Sequence, residues 1–158
     1  MRLFHVSEEP DIQVFVPRVP LRKELDQTKG LVWALNEAGL PNFLTPRECP
    51  RVTWLASSGH RCLAIEHAWH KRMLNTTLYI YEFDPARFYL QDMCAGYYVS
   101  EHTERPIGWT RIDDLYGALF EHGVEVRLVN NLWPLRDAVV NSTVNFSICD
   151  MWNAQPKE

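Results

Sequence analysis

The sequence predicts an α+β chain, and three observations predict it. Its apolar runs are short and rich in Val, Ile, Tyr, Trp and Phe, which suit a pleated surface. Segments that read as strand outnumber those that read as helix. The two kinds do not alternate strictly, which disfavours a doubly wound parallel sheet. At 158 residues the expectation is a single compact domain over 1–158, with a strand-rich, distorted sheet core and a few short helices.

Taken in order, Leu3 to Val6 reads as a first strand. Ile12, Val14 and Val16 alternate with Gln13 and Phe15 and read as a second. The charged stretch Arg22-Lys23-Glu24-Leu25-Asp26, bracketed by Pro17, Pro20 and Gly30, is expected to be a surface loop. Leu31 to Leu35 suits a strand buried on both faces. Asn36 is a fair N-cap, and Gly39 and Pro41 limit the segment after it to a turn or short helix. Val52 to Ala56 is a strand ended by Ser57-Ser58-Gly59. Residues 61–74 read as a strand leading into a short helix, and Thr77 to Phe83 as the clearest strand, stopped by Asp84-Pro85. Tyr97 to Ser100 is another strand, and Pro106 begins a connection to a helix. That helix has Asp113 or Asp114 near its start and Gly123 past its end. Val124 to Val129 alternates apolar and charged residues as a half-buried strand does, and one more helix precedes Phe146.

Composition removes several function classes. A net charge of -4 supplies no basic stripe for a nucleic-acid backbone, so no nucleic-acid partner is expected. No segment reaches the roughly 20 apolar residues of a membrane span, and the N-terminus has no apolar run of signal-peptide length. A cytoplasmic protein with a small-molecule ligand is the expectation, and its oligomeric state is left open. Cys49, Cys62, Cys94 and Cys149 lie far apart without a C-x-x-C pair and read as reduced, mostly buried thiols. His60-x-Cys62 and His67-x-x-His70 raise the question of a metal. The second pair shares a helix face, but E-H-A-W-H is not H-E-x-x-H, so all are read as scattered surface histidines and no metal ligand is assigned.

His5 is the sharpest candidate for a site. An imidazole in a short apolar strand needs hydrogen-bond partners on both nitrogens or an opening to a ligand. Ser7 can offer a polar group at the rim of such a pocket. Arg18 can meet a phosphate or carboxylate through its planar fork, or pair with Glu8 or Glu9.

The stretches LFHVSEEPDI, VWALNE, PRVTW, LYIYEF, YYVS and GVEVR…LWPLRDAVV together resemble a family of small bacterial proteins of unknown function that open with an LFHVSEE-type strand. More distantly, a first strand of the form L-F-H and a late strand before a proline resemble the ADP-ribosyltransferase-like fold. That resemblance implies a pocket for a nucleotide or NAD-like molecule, with His5 holding a ribose hydroxyl and Trp33 stacking on a ring. Tyr98 and Ser100 would be wall residues. The late-strand acid, which would stabilise a ribosyl cation, aligns with Tyr97 or Tyr98, and the nearest carboxylate is Glu101, beyond the strand. Three functions therefore stand side by side: ligand binding, NAD-dependent ADP-ribosyl transfer or glycohydrolysis with Glu101 as the catalytic residue, and a protein-interaction module with a vestigial pocket. The cofactor is left open, NAD being the one the resemblance implies.

Overall fold

A computed structural model describes residues 1–21 and 27–158. The charged stretch 22–26, expected to be a loop, lies outside the described residues. The chain is α+β and strand-rich, with two sheets and a few short helices. It divides into two compact units, one of residues 1–40 and 79–111 and the other of 41–78 and 112–158.

The sheet of the first unit is built from β1 (Leu3–Ser7), β2 (Val32–Asn36), β5 (Leu78–Phe83), β6 (Tyr89–Asp92), β7 (Tyr97–Ser100) and β8 (Gly108–Ile112). Their order is β6-β7-β2-β1-β5-β8. β1 pairs antiparallel with both β2 and β5, so the opening strand is central. Side chains alternate across a strand, and one face of this sheet gathers Leu3, Val32, Ala34 and Phe83, with Phe15, Phe88 and Tyr98 packed on them.

The segment expected to be a second strand is not one. Phe15 makes an isolated antiparallel bridge with Glu104, and Arg18 another with Leu31. The alternation holds from Ile12 to Val14, which are half-buried around an exposed Gln13, and breaks after it: Val16 is 57% exposed, whereas Phe15 packs edge-on against Tyr81 and Phe83. Pro10, Pro17 and Pro20 lack the N–H donors that a ladder needs, so this segment crosses the sheet instead of extending it. Asn36 closes β2, and its Oδ1 accepts the Gly39 N–H at 2.8 Å, ahead of a 3-10 turn at Leu40–Phe43. The strands β6 and β8 carry almost entirely exposed side chains and left no apolar pattern to read.

The second unit holds β3 (Arg51–Leu55), β4 (Arg61–Glu66), β9 (Glu125–Val129) and β10 (Phe146–Cys149), in the order β10-β3-β4-β9. β3 is antiparallel to both β10 and β4, whereas β4 and β9 run parallel. Its helices are α1 (His70–Asn75), α2 (Leu115–Glu121) and α3 (Trp133–Val140). The strand-to-helix reading of 61–74 holds, with a 3-10 turn at His67–Trp69 between them. Asp114 caps α2 by accepting the Gly117 N–H at 2.9 Å, and Gly123 beyond it has φ 73°, as the motif requires. One face of the sheet packs Val52 and Ala64 against Leu132 and Val139, with Trp54 and Ile148 alongside. No helix among the described residues is long and apolar enough to cross a membrane.

Candidate ligand site

His5 lies in β1 on the face that carries Leu3. Its register partner on β5 is Tyr81. Carrying the Phe4–Leu35 pairing one residue further sets His5 beside Ala34, and Ala34 is paired in turn with Tyr98. Tyr98, Ala34, His5 and Tyr81 thus form one row across four strands, on the inner face of the sheet. Ala34, the smallest side chain of the row, separates the imidazole from the Tyr98 phenol.

The imidazole is half-buried. Its Nδ1 lies 3.3 Å from the Trp33 carbonyl oxygen. A carbonyl only accepts, so Nδ1 carries the proton and Nε2 presents a lone pair in the neutral ring. Phe15 meets the ring edge-on at a centroid distance of 4.8 Å. Burial pushes the His5 pKa below its ordinary value of 6.5, partly offset by the bond to Trp33. His5 is therefore a neutral hydrogen-bond acceptor at neutral pH. Behind the row, the buried Tyr81 hydroxyl donates to the Glu9 carbonyl at 2.6 Å and accepts the Ile12 N–H at 3.1 Å. Those two bonds hold the chain that leads to Phe15.

The other expected residues divide between the two faces. Ser7 follows His5 on the same face, and its Oγ accepts the Glu9 N–H at 3.0 Å, which occupies it in a turn. Tyr98 and Ser100 alternate onto the inner face of β7. Arg18 is exposed beside its bridge to Leu31. Trp33 alternates to the opposite face, where its ring meets Tyr97 edge-on at 5.4 Å. Glu101 is exposed, with its carboxylate 3.5 Å from Lys29 Nζ and accepting the Tyr89 hydroxyl at 3.2 Å. Tyr89 pairs with Val99 and shares its face, so Glu101 stands with Trp33 and not with His5.

A different acid reaches the inner face, and no motif marked it. Glu104 is 6% exposed; its Oε1 accepts the Ser100 hydroxyl at 2.7 Å and lies 3.2 Å from Arg87 Nε. Its backbone pairs in both directions with Phe15, at 2.8 and 2.9 Å. The only signal in the sequence was a Ser with a Glu four residues later, a spacing too common to carry meaning.

Of the four cysteines, expected to be mostly buried, Cys49 and Cys62 are buried, Cys149 is half-buried and Cys94 is exposed. Burial pushes Cys49 up to about 12, which keeps it protonated and unreactive. His70 Nδ1 is 2.7 Å from the Tyr116 hydroxyl. Among the described residues, neither His67 nor His70 joins a group of three ligands.

A family model, described as a family of unknown function, DUF6886, matches residues 4–61 and 53–154. The chain belongs to the DUF6886 family. Those spans hold every residue of the His5 row and β1 from Phe4 onward. Comparison with curated proteins and with solved structures finds no match.

Proposed function

We propose that this DUF6886 protein binds a nucleotide or NAD-like small molecule on the inner face of its first sheet, with His5 accepting a hydrogen bond from a ribose hydroxyl. The observation that carries the reading is the contact of His5 Nδ1 with the Trp33 carbonyl at 3.3 Å, from which it follows that Nδ1 carries the proton and Nε2 is left as a neutral acceptor. A sugar hydroxyl is the natural donor to such a lone pair. The resemblance to the ADP-ribosyltransferase-like fold supports the same assignment, and four free thiols fit a protein of the cytoplasm. Binding is preferred to NAD cleavage because Glu101 is engaged by Lys29 and Tyr89 on the opposite face, while Glu104 is held by Ser100 and Arg87. Neither carboxylate is free to face a ribosyl cation.

Calorimetric titration of the full chain with ADP-ribose and with NAD tests this. The informative variant is His5→Phe, which keeps a ring against Phe15 and removes both nitrogens. Wild-type protein is expected to bind, and the variant to bind at least about tenfold more weakly, about 1.4 kcal/mol. Equal affinity in the two proteins, or no binding by the wild type, would overturn the proposal.

A further inference from the structure

In the other sheet, β4 and β9 run parallel with Cys62 paired to Glu125. Parallel partners project to the same side, and the two side chains meet, with Cys62 Sγ 2.9 Å from Glu125 Oε2. His60 precedes Cys62 by two residues, so the period of an extended chain turns it to that side as well. Its Nε2 lies 3.6 Å from the same oxygen. The three ligand atoms are all within 4.8 Å of one another.

We propose that His60 Nε2, Cys62 Sγ and a Glu125 carboxylate oxygen form a three-ligand site for a zinc-class divalent cation, with the fourth position open. Thiolate, imidazole and carboxylate are the donors such an ion takes, at about 2.3 Å for sulfur and about 2.0–2.2 Å for nitrogen and oxygen. Tetrahedral ligands at those lengths stand roughly 3–4 Å apart, close to the separations here. Small shifts of the two exposed side chains bring the set to coordination distance, and His60 and Glu125 are 46% and 47% exposed, which gives the ion a way in. Cys62, 1% exposed, forms the floor.

The surroundings fit a ligand set. Ser58 Oγ hydrogen-bonds His60 Nδ1, which fixes the ring and directs the Nε2 lone pair inward, as the outer partners of metal-bound histidines do. Arg127 donates to Glu125 Oε2 at 3.1 Å and also lies over the Trp54 ring. It has that ring to rest on when the carboxylate turns to an ion. Binding releases the Cys62 thiol proton to solvent and leaves the thiolate on the metal; no electron is transferred.

Cobalt(II) is the probe, because a thiolate ligand gives a sulfur-to-cobalt charge-transfer band and a tetrahedral site gives strong visible absorption. The full chain, treated with chelator and then titrated with cobalt, is expected to show both at one equivalent. Cys62→Ser should lose the charge-transfer band. His60→Ala, a change at an exposed side chain that leaves the core intact, should weaken binding at least about tenfold. His67→Ala should leave the spectrum unchanged. Absence of the charge-transfer band in the wild type, or a titration unaltered by His60→Ala, would overturn the site.

Discussion

Glu66 Oε2 accepts the backbone N–H of Leu132 at 3.0 Å, which ties the end of β4 to the residue before α3. The other oxygen accepts the Gln155 N–H at 2.8 Å. Glu66 is fully buried, so one side chain satisfies two backbone donors, that of Leu132 in the interior and that of Gln155 at its margin.

Removing it should therefore cost more than an ordinary surface change. Hydrogen bonds to a charged group contribute about 1.5–3 kcal/mol each, so Glu66→Ala is expected to destabilise the protein by about 3 kcal/mol or more. Glu66→Gln keeps one acceptor oxygen and turns an amide N–H2 toward the other donor, for an intermediate loss. Urea denaturation monitored by tryptophan fluorescence measures both. Near-wild-type stability in Glu66→Ala would show that solvent replaces the carboxylate.

Asn36 and Gly96 make a second contact that admits little change. Gly96 has φ +72° and a Cβ there would collide with the Asn36 amide, which is already engaged with the Gly39 N–H. The Gly96 carbonyl accepts the Asn36 N–H at 2.9 Å, so the backbone cannot simply move away. Gly96→Ala should lose about 1–3 kcal/mol, read as a lower melting temperature. An unchanged melting temperature would mean that this turn relaxes freely.

The lowered pKa of His5 makes stability depend on pH in a definite direction. Between the ordinary value of 6.5 and the lower folded value, the unfolded chain binds a proton that the folded chain does not. Stability is thus full above 6.5, falls as pH drops through the folded value, and levels off below it. In His5→Phe this contribution vanishes, so the gap between variant and wild type should shift in the variant's favour from about pH 7.5 to about pH 5. Parallel stability curves for the two proteins would place His5 in solvent.

Much of the fold is legible in the residues themselves. Leu3 to Val6, Leu31 to Leu35, Val52 to Ala56 and Thr77 to Phe83 concentrate β-branched and aromatic side chains, and each is a strand in place. Asp114 and Gly123 mark the ends of α2 because capping is local chemistry. His5 is conspicuous for the same kind of reason: a polar ring in an apolar strand requires a partner wherever the strand lies.

Other features rest on the surface a segment packs against, which no local pattern records. The run from Ile12 to Val16 alternates like a strand, yet Phe15 is drawn inward in place of Val16, because the Tyr81 hydroxyl and the Glu104 backbone hold the chain across the sheet. The edge strands β6 and β8 have little to bury and so no periodicity to betray them. Trp33 and His5 fall on opposite faces through the period of the strand and the register of its neighbours. Glu125 meets Cys62 across 63 residues of chain, through one parallel pairing. Local sequence determines where strands, turns and caps form, because those depend on neighbouring backbone and side-chain chemistry. Which side chains share a face, and hence which can share a ligand, is decided by strand order and register, which depend on burial summed over the whole sheet.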